Sequence, residues 1–204
     1  MLALRPPNYF IDNIKAHFDE RRYKFFDGNK PFNLNIIGVR GTSVASGRFD
    51  DYICMIYRTD KLEWVLDLCE ATTDPGKIYL KNPINRKGCA VLAPGQYRGA
   101  YKIGMHRNKY KALVQSNGPV KVYRDNNRDD VINYGEAEYT GHFGINIHRR
   151  HPGLKDDFVK GSSAGCQVFR YSNEFKHLMN LATVSADIYG NSFTYTLLEI
   201  KDFL

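Results

Sequence analysis

The sequence predicts a mainly β, β-rich α+β fold, and three observations carry that expectation. A long central stretch consists of short apolar segments separated by turns rich in Gly, Pro and Asn. Amphipathic helical spacing is confined to one segment near each end of this stretch. The 204 residues, 43% apolar and 13% aromatic, are enough to bury a real core and argue against disorder.

Taken in order, Asn8 to Phe26 reads as an amphipathic helix. Phe10, Ile14, Phe18 and Phe25 or Phe26 form its apolar stripe, and Gly28 and Pro31 end it. "NLNIIGVRG" is a strand. "DDYICMIYRT" and "LEWVLDLCEATT" are two more, joined as a hairpin around Thr59–Asp60–Lys61, with Cys54 and Cys69 as core thiols. "DPGKIYLKNPINRKG" reads as loop with a short edge strand. "KALVQ" and "VKVYRD" are strands around a Ser116–Pro119 turn, and "NNRDD" is a solvated polar turn. "GHFGINIHRR" alternates Phe143, Ile145 and Ile147 against His142, Asn146 and His148. It reads as a strand with an apolar face and a face toward a cleft or solvent. A second helix covers Asn173 to about Ala186, with Ser172 as its cap, and "SFTYTLLEI" closes the chain as a strand.

The net charge is +7, but the basic residues are scattered, with no Lys/Arg block and no aromatic platform. Nucleic acid is therefore not an expected partner. No apolar run approaches the ~20 residues of a membrane span. "MLALRPPNYF" has a basic residue and two prolines where a secretory signal needs an apolar stretch, so none is expected. Four widely spaced cysteines, none in a C-x-x-C pair, point to reduced thiols rather than a zinc ribbon or disulfide scaffold. His142 and His148 are six residues apart on one strand face, too far to chelate one ion in a straight strand, so no metal is expected.

The chemistry concentrates in "GINIHRRHPGLKDDFVKGSSAGCQVF". Cys166 follows Ser163–Ala164–Gly165 in a turn, and His148 lies at a strand end with 14 residues between it and Ser163. A thiol attacks carbonyls once an imidazole draws off its proton, and glycine beside it lets substrate approach. Cys89 also follows a glycine, with His106 downstream, but without this spacing. Arg149 and Arg150 suit a substrate carboxylate or a solvated basic turn, and Tyr97 and Tyr101 either line a cleft or pack on the core.

The pattern H-(14 residues)-S-A-G-C resembles the signature of the L,D-transpeptidases of YkuD type: a histidine, a similar spacer, then Ser/Thr-His-Gly-Cys. Ser172–Asn173–Glu174 resembles the family's helix start after the cysteine, and "APGQYRGAYKIG" its upstream Thr-Pro-x-Gly-x-Phe segment. The strong likeness covers residues 141–181 and the weaker one extends back to about residue 90. The family's second histidine is Ala164 here. Its Arg or Asn two positions after the cysteine is Val168, flanked by Gln167 and Arg170.

The resemblance implies a transpeptidase-like β-sandwich or barrel over residues 31–204, an N-terminal helical extension over 1–30, and a helix after the cysteine. It implies cofactor-free acyl transfer on peptidoglycan stem peptides through a thioester. Cys166 is the nucleophile and His148 the base. Gly165 and Cys166 supply oxyanion N–H groups, and a backbone carbonyl or the region of Ser163 orients the imidazole. Substrate contacts are assigned to Arg149, Gln167, Arg170 and Tyr97. The wording "GINIHR…SAGCQVF" also resembles proteins of tailed bacteriophages. That implies synthesis in the bacterial cytoplasm and delivery to the cell wall through lysis or virion partners, used hydrolytically as an endolysin would be. The alternative is a non-catalytic structural or wall-binding virion protein that keeps the fold.

Overall fold

The computed structural model describes residues 7–44, 47–135, 137–153 and 158–203. The start of the N-terminal leader reading and Leu154–Asp157 of the loop between His148 and Cys166 lie outside the described residues.

The fold is β-rich α+β. Its strands, in chain order, are β1 (Asn35–Arg40), β2 (Asp51–Arg58), β3 (Trp64–Thr72), β4 (Cys89–Leu92), β5 (Gly95–His106), β6 (Tyr110–Gln115), β7 (Val120–Asp125), β8 (Tyr139–Gly141), β9 (Ile147–Arg149), β10 (Gln167–Phe169) and β11 (Phe193–Glu199). The helices are α1 (Pro7–Glu20), α2 (Lys77–Lys81) and α3 (Ser172–Tyr189). Eight strands close a barrel in the order β1-β11-β5-β6-β9-β10-β3-β2, and β4-β7-β8 form a separate sheet. Closure leaves the barrel no free edge. β1 pairs parallel to β11, and β9 parallel to β10, while β2 and β3 form the expected antiparallel hairpin.

β1 is buried on both faces, which explains its unbroken apolar run. Ile36 points into the main core with Ile53, Met55, Leu113, Ile147, Phe169 and Tyr195. Ile37 and Val39 point the other way, to Cys54, Ile56 and Leu198, where α1 covers them with Ile11, Ile14 and Phe18. α3 packs Phe175, Leu178, Leu181 and Ala182 on the main core. Its expected Ser172 cap is replaced by Tyr171 at the N-cap, with no side-chain cap bond.

Several elements depart from the sequence expectation for identifiable reasons. α1 stops at Glu20 because Arg22 adopts a left-handed φ of 56° and the Tyr23 N–H returns to the Phe18 carbonyl, a helix-closing bond. Its buried stripe uses Ile11 where Phe10 was expected, and Phe10 is half exposed. The expected loop after Pro75 contains α2, seated by fully buried Leu80. β6 and β7 do not form a hairpin: β6 pairs with β5 and β9, and β7 with β4 and β8. The Ser116 and Asn117 N–H groups both donate to the Ala100 carbonyl, so the turn carries the chain from the barrel to the second sheet.

The expected long strand at "GHFGINIHRR" is divided into β8 and β9. Gly144 takes φ +71°, and the N–H groups of Phe143, Gly144 and Ile145 all donate to one side-chain oxygen, Gln115 Oε1, at 2.9–3.2 Å. Gln115 Nε2 donates to the Gly118 and Gly141 carbonyls, so this one buried amide shapes the whole segment. Arg40, fully buried, pairs with Asp74 at 2.9 Å and donates to Thr73 and to the Leu92 carbonyl, a satisfied charge that ties β1 to the chain around β3 and β4.

Candidate active site

Cys166 and His148 line one cleft, of about 420 Å³, beside the barrel. The cleft is walled by the start of β4 (Cys89, Ala90), the β5–β6 turn (His106, Arg107), the Gln115-shaped segment (His142–Asn146) and the turn before β10. A second cavity of about 490 Å³ shares His106, Arg107, His148 and Ser162 with it and continues toward Tyr110, Arg149 and Lys160. Among the described residues, every charged side chain lining either cavity is Arg or Lys apart from the histidines, with no Asp or Glu.

The parallel pairing of β9 with β10 brings the two segments together. His148 is opposite Val168 in register, and the Gln167 N–H donates to the Asn146 carbonyl at 2.9 Å. Cys166, one residue before β10, is half-buried, and its thiol faces the Gly144 carbonyl at 3.5 Å. Burial pushes this thiol up, opposed by the Asn146 N–H directed at the sulfur and by the charge of Arg107. The Cys166 side chain is therefore a neutral thiol at neutral pH.

His148 is buried, although it lines the cleft. Its Nδ1 lies 2.7 Å from the Arg149 carbonyl, which fixes the proton on Nδ1 and leaves the Nε2 lone pair free to accept a proton. The Tyr110 hydroxyl lies 3.3 Å from both His148 Nδ1 and that carbonyl. Burial, the neighbouring His106 and the arginines push His148 down to about 3. Of the two expected orienting groups, a backbone carbonyl, that of Arg149, holds the imidazole, and Ser163 does not.

Ser163 has a different task. Its hydroxyl donates to the Cys166 carbonyl at 2.8 Å and accepts the Gly165 N–H at 3.1 Å, locking the turn that presents the cysteine. Gly165 has φ +116°, and a Cβ there would stand 2.2 Å from the Ala90 carbonyl oxygen, so the position demands glycine. The same lock removes the Gly165 N–H from the expected oxyanion pair.

The assigned substrate residues divide. Arg149 lines the second cavity, its guanidinium 4.3 Å from the Tyr110 ring centroid. Gln167 is fully buried; it donates to the Thr73 carbonyl and accepts the Tyr195 hydroxyl, so it belongs to the core. Tyr97 is buried and gives its hydroxyl to the Ala93 carbonyl, on the core side of its two expected roles. Arg170 pairs with Glu70 at the far end of β10. None of these three lines either cavity.

Sequence reasoning missed His106 as a partner of His148. The two rings stack with centroids 4.1 Å apart. The Cys89–His106 order, set aside for lack of spacing, also ends in this cleft. Burial pushes the Cys89 thiol up to about 12, and its sulfur faces the Ala164 carbonyl. Nothing in the local sequence marks Asn146 or Gln115, whose roles come from long-range hydrogen bonds. Among the described residues, no group of three or more His, Cys, Asp or Glu side chains is arranged to hold a metal, and no helix is long and apolar enough to cross a membrane.

Compared with protein-family models, with curated proteins and with solved structures, the chain finds no match in any of the three.

Proposed function

We propose that the protein is a cysteine acyl-transfer enzyme acting on peptidoglycan stem peptides, in the manner of the L,D-transpeptidases that its sequence resembles. The observation that carries this reading is the His148 tautomer: Nδ1–H is held by the Arg149 carbonyl, which leaves Nε2 as the proton acceptor of a ring that lines the same cleft as Cys166. Cys166 Sγ attacks a peptide carbonyl as its proton passes to His148 Nε2. The C–N bond then breaks and the departing amine takes that proton, leaving a thioester. An amine closes the thioester to a cross-link, and water closes it to a hydrolysed stem.

The arginines and lysines among the described lining of both cavities support a carboxylate-bearing substrate, which stem peptides provide. The phage-like wording around His148 and Cys166 supports a phage-encoded protein that reaches the wall through lysis or the virion. The raised Cys166 thiol favours one competing reading, a wall-binding virion module without catalysis.

Purified peptidoglycan incubated with the protein, with Cys166→Ala and His148→Ala as controls, separates these readings by mass spectrometry of the released muropeptides. New 3→3 cross-links or stems shortened by a D-residue, absent with both variants, are expected. Unchanged muropeptides across wall chemotypes, with the protein still bound to the sacculi, would establish the binding module.

A further inference from the structure

We propose that His106 is a further catalytic residue, whose Nε2–H donates to the acyl oxygen as Cys166 attacks. The inference rests on the acyl-transfer reading above and adds to it the group that stabilises the developing oxyanion. No residue of the signature in the sequence assigns this role to His106.

The tautomer of His106 follows from its neighbours. Asn146 Oδ1 accepts the Gln115 N–H at 2.9 Å, so the amide nitrogen of Asn146 is the atom 3.1 Å from His106 Nδ1. An amide NH₂ only donates, so Nδ1 accepts and the ring proton sits on Nε2. That Nε2–H has no hydrogen-bond partner among the described residues, and the ring lines the Cys166 cleft. The stacked rings therefore carry opposite tautomers: His148 exposes a lone pair and His106 a proton donor.

The usual backbone donors are depleted here. The Gly165 N–H is taken by Ser163 Oγ, and the Asn146 N–H is directed at the Cys166 sulfur. The Cys166 N–H and the His106 Nε2–H remain as the donors that this proposal assigns to a carbonyl oxygen attacked by the sulfur. Burial and the adjacent Arg107 push His106 down to about 4, so the ring donates as a neutral imidazole at physiological pH. As the S–C bond forms, the carbonyl π electrons move to oxygen, the thiol proton goes to His148, and His106 keeps its own proton throughout.

The test uses the N-acetyl-L-alanine p-nitrophenyl ester as acyl donor and iodoacetamide as a probe of the thiol, on wild type, His106→Leu, His106→Gln and Cys166→Ala. The expected result is an acylation rate about 10²–10³-fold lower in His106→Leu, with partial recovery in His106→Gln, whose amide can donate from the Nε2 position. Alkylation of Cys166 stays unchanged in both His106 variants, showing that the thiol and its cleft are intact. Wild-type acylation in His106→Leu would overturn the role of His106 and leave the Cys166 reading standing. Acylation and alkylation falling together would reduce His106 to a structural support. No Cys166-dependent nitrophenolate release from wild type would overturn the acyl-transfer reading and this role with it.

Discussion

The imidazole rings of His106 and His148 stack at a centroid distance of 4.1 Å, and both are neutral in the folded protein. Burial pushes His106 down to about 4 and His148 down to about 3, below the ordinary value of 6.5. The unfolded chain thus binds protons that the folded chain excludes. Stability is full above pH 6.5 and declines as pH falls from there toward 4 and then 3. Urea unfolding at several pH values should show this loss, with a shallower dependence in His106→Gln/His148→Gln. In an NMR titration these two rings should stay neutral to below pH 5; either of them titrating near 6.5 would contradict the burial argument.

The thiols should separate by reactivity. Burial pushes Cys54, Cys69 and Cys89 up to about 12 and keeps them from solvent, whereas Cys166, also raised, is only half-buried where it lines the cleft. Iodoacetamide on the native protein should label Cys166 alone, slowly at neutral pH and faster as pH rises past 9. Rapid labelling at pH 6 would mean a thiolate–imidazolium pair rather than the neutral pair described above.

Gly165→Ala should disable the site. The position has φ +116°, and the added methyl meets the Ala90 carbonyl at 2.2 Å. The strained conformation alone costs about 1–3 kcal/mol, and relief of the clash must displace the cysteine turn from β4. A lowered melting temperature together with loss of Cys166 acylation is expected. A variant as stable as wild type would show that the turn relaxes freely.

Gln115→Leu should loosen the wall of the cleft without touching Cys166 or His148. It strands three N–H groups, at Phe143, Gly144 and Ile145, each worth about 1–3 kcal/mol if buried without a partner. Hydrogen exchange at those three amides should accelerate, and urea stability should fall. Unchanged exchange would mean that water replaces the amide oxygen at no cost.

The strand content and the two long helices were legible because periodicity and turn residues are local signals. The β2–β3 hairpin, the core thiols Cys54 and Cys69 and the closing strand β11 all follow from such signals. The joining of His148 to Cys166 was only inferable through motif spacing, since the β9–β10 pairing that achieves it crosses a loop. What stayed hidden is non-local. Gln115 interrupts the alternation at Gly144 from 29 residues away, and His106 reaches His148 through the barrel register. Gln167 reads as a cleft residue by proximity to the motif, but side-chain direction turns it to the core, and Tyr97 takes the packing role of its two readings. Ser163 reads as part of the catalytic set, while its hydroxyl is committed to the turn.

The central claim is that Cys166 carries the acyl group. Intact-protein mass spectrometry after rapid quench of wild type with a purified stem tetrapeptide tests it most directly. The account predicts a mass gain equal to the mass of the stem less that of the released free D-amino acid. The adduct should map to the Cys166 peptide and be absent in Cys166→Ala. Turnover of the stem by Cys166→Ala at the wild-type rate, or an adduct on another residue, would contradict it.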